Sequence, residues 1–203
     1  LCAHGVPGTS GLLFCLPLEE KPDHQGLHLV FDNLTLETGF HGILVRTGFV
    51  ELRNCVLRKS FGDLVNTANG RVLVEDCEFH AFGESAIDVT GPVPNDSRPK
   101  PWPMAIRKCR FHDNVKVRSP LQKGYNAVML KGGCSNIVVE NNQFFNLQTT
   151  YGALTLGGSS SGGQSHEGVN LLARNNIFRE ISGPYVVLFA ASQDCKLVNN
   201  LIC

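Results

Sequence analysis

The chain has 203 residues with 18 basic and 18 acidic side chains, so its formal net charge is zero. Balanced charge without a basic run argues against a nucleic-acid partner. No stretch approaches the roughly 18 consecutive apolar residues of a membrane-spanning helix, so we expect no membrane span. The hydrophobic content of 42% is too high for a disordered chain. Glycine occurs 21 times and asparagine 16 times, and this excess indicates many turns with special backbone angles.

Residues 1–26 carry no recognisable repeat, and the chain begins without Met and ends at Cys203. We therefore expect a piece of a longer protein, in which residues 1–26 are an N-terminal segment. This segment would be the remnant of a cap or an incomplete rung of the repeat described next.

An eight-residue pattern recurs seven times through the rest of the chain. It is clearest in residues 50–57 (VELRNCVL), 72–79 (VLVEDCEF) and 137–144 (IVVENNQF). The same frame fits residues 29–36, 104–111, 171–178 and 195–202. We call one position of the frame the anchor, and it is occupied in turn by Leu34, Cys55, Cys77, Cys109, Asn142, Asn176 and Asn200.

The residues around the anchor predict two short strands joined by a tight turn. Positions five and three before the anchor, and two after it, are apolar or Cys in every copy. Apolar residues two apart are typical of strands, and the break in alternation at the anchor indicates the turn. Asn suits such a turn because it tolerates left-handed backbone angles.

A third short strand is predicted before each copy after the first, as in residues 43–45 (ILV) and 128–130 (VML). Three of the six spacings between anchors are close to one basic unit, and the other three are longer because they contain an insertion. Three short strands in a basic unit of about 22 residues predict one rung of a parallel β-helix, in which rungs stack into a shared core. A leucine-rich repeat is disfavoured because its L-x-x-L-x-L frame is absent, and a β-sandwich would not show a recurring register.

The pattern resembles the right-handed β-helix family of pectate-lyase-like proteins, through residues 141–144 (NNQF) and 175–178 (NNIF). The resemblance covers residues 27–203 and implies an all-β fold, a single-stranded right-handed parallel β-helix domain of about seven rungs. It implies an interior ladder of Asn side chains in the C-terminal half. Cys replaces Asn in the N-terminal half, and buried free thiols are favoured there over a metal site.

The same resemblance specifies the fold more closely than the activity, because the family includes lyases, hydrolases, epimerases, tailspikes and adhesins. In this family the outer face of the first strand of each rung forms the ligand groove. Insertions at residues 91–103, 112–124 and 157–168 would flank that face. Its middle positions are predicted to be Leu44, Val65, Asp88, Met129, Thr155 and Val187. The next outward positions are predicted to be Arg46, Thr67, Thr90, Lys131, Gly157 and Phe189.

Polar residues on this face suggest chemistry on an acidic polysaccharide. Lys131, followed by two glycines, is the candidate base for a uronic-acid lyase, and His166 and Glu167 are further catalytic candidates. Asp88 and Glu167 could hold Ca²⁺ through their carboxylate oxygens. Candidate substrate-binding residues are Asp88, Thr90, Trp102, Tyr125, Thr155 and Arg46.

These residues make no complete catalytic set of the hydrolases, epimerases or lyases of the family. A solvated strand-end lysine and a polar loop tip are the alternatives for Lys131 and for His166 with Glu167. We therefore expect a secreted or periplasmic lyase that binds a polysaccharide or oligosaccharide. The alternative is a carbohydrate-binding or adhesive module without catalysis.

Overall fold

A computed structural model describes residues 2–4, 14–15, 28–37, 39–45, 48–91, 104–114, 126–158 and 166–203. These residues form 25 strands and no helix, and the strands assemble into four sheets. Neighbouring strands in the stack are parallel, as in the pairs Phe79 with Phe111 and Ile87 with Val128. Within the described ranges, no helix has the length and apolar character needed to cross a membrane.

The three main sheets run the length of the stack. A fourth, small sheet is formed by short strands in the turns between sheet I and sheet II. Sheet I comprises Phe14–Cys15, Ile43–Val45, Val65–Ala68, Ser85–Thr90, Asn126–Lys131, Gly152–Gly157 and Tyr185–Ala190. Sheet II comprises His28–Asp32, Gly48–Arg53, Gly70–Glu75, Met104–Arg107, Ile137–Glu140, Leu172–Arg174 and Lys196–Val198. Sheet III comprises Cys2–His4, Thr35–Glu37, Val56–Ser60, Glu78–Phe82, Arg110–His112, Gln143–Gln148, Ile177–Ser182 and Leu201–Ile202. Sheet IV comprises Cys134–Ser135, Gly168–Val169 and Ser192–Gln193.

The strand register confirms the predicted repeat. In sheet II, Leu29 pairs with Val50 and Val50 with Val72, which are equivalent positions of successive copies. In sheet III, Phe111 pairs with Phe144, again at equivalent positions. Each rung therefore runs from sheet II through the anchor turn to sheet III and then to sheet I, as a parallel β-helix requires.

The turn at the anchor shows why two asparagines stand side by side. The residue before each anchor has a positive φ of 50° to 56°, a left-handed conformation that Asn adopts at low cost. These residues are Asn33, Asn54, Asp76, Lys108, Asn141, Asn175 and Asn199. In the paired asparagines the first residue thus makes the turn and the second points inside.

The anchor side chains form the predicted ladder. Asn142 Nδ2 donates to Asn176 Oδ1, and Asn176 Nδ2 donates to Asn200 Oδ1, both at 2.9 Å. Cys55, Cys77 and Cys109 continue the column, and each thiol is at most 2% exposed and unoxidised. Hydrogen bonding to Cys109 and burial raise the pKa of the Cys77 thiol to about 12, which disfavours the thiolate form.

Four aromatic rings fill the core beneath sheet III. Phe79, Phe111, Phe144 and Phe178 are fully buried, with successive ring centroids 4.7 to 5.0 Å apart and nearly parallel planes. The spacing matches the distance of about 4.8 Å between paired strands, so one ring from each rung stacks on the next. The repeat thus places like side chains in continuous columns.

In sheet I the structure corrects several of the predicted outward positions. Val65 pairs with Ile87, and Val187 pairs with Leu154, so both valines belong to the inward column. The outward column instead contains Asn66 and Leu188 beside Asp88, Met129 and Thr155. The next outward column contains Ala68 and Ala190, while Thr67 is buried and Phe189 is paired with Leu156. The predictions for Val65 and Val187 are each one residue out of register, because the residue equivalent to Leu44 is Asn66 and the residue equivalent to Thr155 is Leu188.

Two short strands precede the first complete rung. Cys2–His4 pairs with Thr35–Glu37 in sheet III, and Phe14–Cys15 pairs with Ile43–Val45 in sheet I. Both therefore extend main sheets of the stack. The division of the chain at residue 27 stays a prediction.

Candidate functional site

A pocket of about 410 Å³ opens on the outer face of sheet I. It lies over the strands Ser85–Thr90, Asn126–Lys131 and Gly152–Gly157. Its polar lining consists of Asp63, Glu84, Ser85, Asp88, Asn126, Lys131 and Thr155, and its apolar lining includes Met129, Tyr151 and Leu188. The pocket thus occupies the face on which the sequence predicts a groove.

An ion pair crosses the floor of the pocket. Asp88 and Lys131 project from neighbouring strands, because Asp88 is paired with Met129 and Thr90 with Lys131. Lys131 Nζ lies 2.7 Å from Asp88 Oδ2, and the two side chains are 22% and 11% exposed. The other carboxylate oxygen, Asp88 Oδ1, is buried and has no hydrogen-bond partner. The site therefore contains an amine in a fixed position and a buried oxygen without a donor.

Three carboxyl groups share the pocket. Burial raises the pKa of Asp63, and burial together with the charges of Asp63 and Asp88 raises the pKa of Glu84 to about 7. Burial and the charge of Asp63 raise the pKa of Asp88 to about 6, against the opposing effect of Lys131. Because like charges and poor solvation both disfavour ionisation, this cluster holds protons near neutral pH.

Asp63 is held rigidly at the edge of the pocket. Its Oδ1 accepts the Ser85 backbone N–H at 3.0 Å, and its Oδ2 accepts Asn66 Nδ2 at 2.7 Å. The Asp63 backbone N–H donates to His41 Nδ1 at 3.2 Å, which places the imidazole beside the carboxylate. Asp63 itself is 4% exposed. These contacts join three successive rungs at one corner of sheet I.

The structure brings several of the predicted residues together. Asp88, Lys131 and Thr155 line the pocket, and Thr90 is the strand partner of Lys131. Thr155 is 1% exposed and its hydroxyl donates to Asn126 Oδ1 at 3.1 Å, so this hydroxyl supports Asn126. Arg46, Trp102 and Tyr125 lie outside the described residues. Their binding roles stay predictions.

Glu167 lies one rung further along the chain and contacts the turn that follows Lys131. Its Oε2 accepts the Gly132 N–H at 2.7 Å, its backbone carbonyl accepts the Gly133 N–H at 2.9 Å, and it is 3% exposed. Gly132 and Gly133 both have positive φ values, 70° and 81°. Glu167 therefore holds the turn that ends the Lys131 strand. The exposed His166 precedes it, and the catalytic roles of both residues and the Ca²⁺ role of Glu167 stay predictions.

Three residues of the pocket corner are absent from the sequence-based candidates. Within the described part of the chain, His41, Asp63 and Glu84 form a group whose ligand atoms all lie within 4.8 Å of one another. His41 and Asp63 are separated by one rung of the repeat. Extending the repeat to the residues before each sheet I strand would have aligned them.

The comparisons with known proteins agree with this architecture. A family model described as a right-handed β-helix region matches residues 41–202, about four fifths of the chain. Searches of curated proteins and of solved structures find no match. The matched span includes six of the seven copies of the repeat and every residue of the pocket. With parallel sheets stacked along the whole described repeat, the chain belongs to the right-handed β-helix family.

Proposed function

We propose that the pocket binds a polysaccharide containing uronic acids and cleaves it by β-elimination, with Lys131 as the base. The observation that carries this proposal is the position of Lys131 Nζ, fixed by Asp88 inside an open pocket. The pocket volume lies within the range of about 300–1,000 Å³ that is usual for small-ligand sites. A sugar unit of a polymer can therefore enter and meet the amine.

In the proposed chemistry a single group, on one face of the sugar, acts first as the base and then as the acid. The neutral Lys131 amine takes the proton from C5, which is acidified by the adjacent carboxyl group, and the electron pair forms the C4–C5 double bond. The C4–O bond breaks, and the newly formed Lys131 ammonium gives a proton to the leaving oxygen.

Other residues of the pocket suit a carbohydrate. Tyr151 lines the pocket and is 43% exposed, so its ring offers an apolar face on which a sugar can stack. Asn126 and Ser85 add polar groups beside it. This mixture of one aromatic ring and several oriented polar groups is typical of ligand sites that recognise polar molecules.

The test uses a panel of uronic-acid polymers and follows the ultraviolet absorbance of the unsaturated product. Lys131→Arg keeps the positive charge but cannot supply a neutral base, so we expect a rate loss of about 100-fold or more. Lys196→Ala, an exposed lysine on sheet II, is the matched control and should retain the full rate. A Lys131→Arg variant as active as the wild type would contradict the role of Lys131.

A second candidate function is carbohydrate binding without cleavage. The observation that favours it is the 2.7 Å ion pair between Lys131 and Asp88, in which the amine is already engaged by a carboxylate. For such a module, the polymer would bind without product, Lys131→Arg would bind normally, and Tyr151→Ala would weaken binding. Affinity gel electrophoresis with the same polymers separates the two functions.

The proposed substrate also implies a place for the protein. Polymers of uronic acids are materials of the cell exterior, so we propose that the protein is secreted or periplasmic. Fractionation of the native source, with detection of this chain in the medium or periplasm, tests the location. Recovery from the cytoplasm alone would contradict it.

A further inference from the structure

We propose that His41, Asp63 and Glu84 form a binding site for a divalent cation that accepts both imidazole and carboxylate ligands, namely Mn²⁺ or Zn²⁺. The three ligand atoms lie within 4.8 Å of one another, close enough for a single ion to contact all three. Imidazole suits Zn²⁺ and other transition metals, whereas Ca²⁺ takes oxygen ligands. The site stands independently of the proposed cleavage, because it concerns binding of the ion alone.

The position of His41 is set by its neighbours. The ring lies beside Asp63, with its Nδ1 3.8 Å from Asp63 Oδ2 and 3.2 Å from the Asp63 backbone N. A cation bound to His41 Nδ1 would replace the long hydrogen bond that the Asp63 backbone N–H donates to this atom. A Cβ added to Gly62 would lie 2.9 Å from both Cε1 and Nδ1 of the ring, so the absence of a side chain at Gly62 leaves room for the imidazole.

A second observation points to a positively charged ligand at the same corner. Asp88 lines the pocket with Asp63 and Glu84, is 7% exposed as a whole residue, and keeps its buried Oδ1 without any donor. A buried carboxylate oxygen without a partner is costly, and a cation with bound water would supply what it lacks. The described pocket lining has three carboxyl groups and a single basic side chain, Lys131.

The electrostatics of the cluster agree with this geometry. Asp63, Glu84 and Asp88 bring three carboxyl groups into one pocket beside Lys131, so these groups repel one another when ionised. A bound divalent cation would offset that repulsion. The cluster therefore has the donor types, the spacing and the excess negative charge that a cation needs.

The test measures binding of Mn²⁺ to the full chain after treatment with a chelator, using the electron paramagnetic resonance signal of the free ion. Zn²⁺ and Ca²⁺ are then added as competitors. We expect one Mn²⁺ per chain, displacement by Zn²⁺, and Ca²⁺ binding at least tenfold weaker. Glu84→Gln and His41→Ala should each weaken Mn²⁺ binding by about tenfold or more, since even outer partners of metal sites contribute that much.

The matched control is Glu140→Gln, which removes a carboxylate on sheet II and should bind Mn²⁺ as the wild type does. Thermal unfolding without metal shows that each variant is folded before its affinity is compared. The proposal is overturned if the wild type binds neither Mn²⁺ nor Zn²⁺, or if both site variants keep full affinity. Tighter binding of Ca²⁺ than of Mn²⁺ would also overturn it, since an oxygen-only site would then be the ligand set.

Discussion

The outer faces of sheets I and II are built from the same repeat, but their charged residues are arranged differently. The charges of sheet II alternate in sign along the stack, whereas those of sheet I are gathered in the pocket and are mostly acidic. On sheet II, one column of paired residues alternates in sign through Asp32, Arg53, Glu75, Arg107, Glu140 and Arg174. Arg107 forms an ion pair with Glu75, and Arg174 Nε donates to Glu140 Oε2 at 2.8 Å. On sheet I, the pocket gathers three carboxyl groups around Lys131.

The charges of sheet II are paired and stabilise the stack, whereas the charges of the pocket are arranged as in a functional site. Opposite charges on neighbouring strands stabilise a sheet modestly, and each arginine of the sheet II column has an acidic neighbour. In the pocket, like charges are crowded and poorly solvated, which raises carboxyl pKa values. Such perturbed groups in a concave site are typical of functional residues.

The largest effect should come from removing the counter-charge in the pocket. Lys131→Met leaves Asp88 buried beside two other carboxyl groups, so we expect a loss of about 2 kcal/mol in unfolding free energy at pH 8. This loss is smaller than that for breaking a fully buried ion pair, because Lys131 is partly exposed. The loss should shrink at pH 5, where Asp88 is protonated because its pKa is raised to about 6. Urea unfolding at both pH values measures it.

The control for this comparison is Arg107→Met on sheet II, where the ion pairs are exposed and should contribute at most about 0.5 kcal/mol. Equal losses for Lys131→Met and Arg107→Met would remove the distinction between the two faces. A Lys131→Met loss that does not change with pH would show that Asp88 is not the group responsible.

An intermediate effect should follow from breaking the alternation on sheet II. Glu75→Lys places a positive side chain between Arg53 and Arg107 on consecutive rungs, so we expect a loss of about 1 kcal/mol. Glu75→Gln removes the attraction without adding repulsion and should lose less. Because exposed charges are screened, the difference between the two variants should largely vanish in about 1 M salt; a difference that persists there would indicate packing.

The smallest effect should be a gain in stability on removing a carboxyl group from the pocket. The pKa of Glu84 is raised to about 7 in the folded chain, so the folded state binds more protons than the unfolded state between about pH 4.5 and 7. Stability from this group therefore falls as the pH rises through that window. Glu84→Gln should raise the unfolding free energy at pH 8 by less than about 1 kcal/mol after allowance for partial exposure, seen as a higher melting temperature, and should change it little at pH 4.

This measurement needs a chelator, because loss of a cation bound to Glu84 would make the Glu84→Gln variant less stable instead of more stable. Glu140→Gln is the control and should not stabilise, since Glu140 is paired with Arg174. A Glu84→Gln variant that is less stable than the wild type at pH 8, with the chelator present, would contradict the crowded-carboxylate description of the pocket.

The architecture could be predicted from the sequence because each strand position is read against its equivalents in the neighbouring rungs. The anchor column, the alternating charges of sheet II and the apolar slot filled by Phe111 and Phe144 all align in the predicted register. Sheet I was harder, because the spacing between its strands varies, and the predictions for Val65 and Val187 are each one residue out of register. Their orientation depends on hydrogen bonding to neighbouring rungs.

The site was predicted in part. Asp88 and Lys131 were identified as polar residues on an otherwise apolar face, and the structure places both in the pocket. His41, Asp63 and Glu84 lie before the sheet I strands, in the turns, where alternation gives no orientation. The binding roles of Trp102, Tyr125 and Arg46 fall outside the described residues.

The sequence by itself determined the rung, its turns and the columns inside the stack, because backbone alternation and the left-handed residue before each anchor are local properties. Tertiary structure decided which polar groups meet. Asp88 and Lys131 are 43 residues apart, and the two insertions between them, residues 91–103 and 112–124, hide their relation in the sequence. Only parallel pairing of their strands brings the amine to the carboxylate, and only the corner of sheet I brings His41 to Asp63 and Glu84.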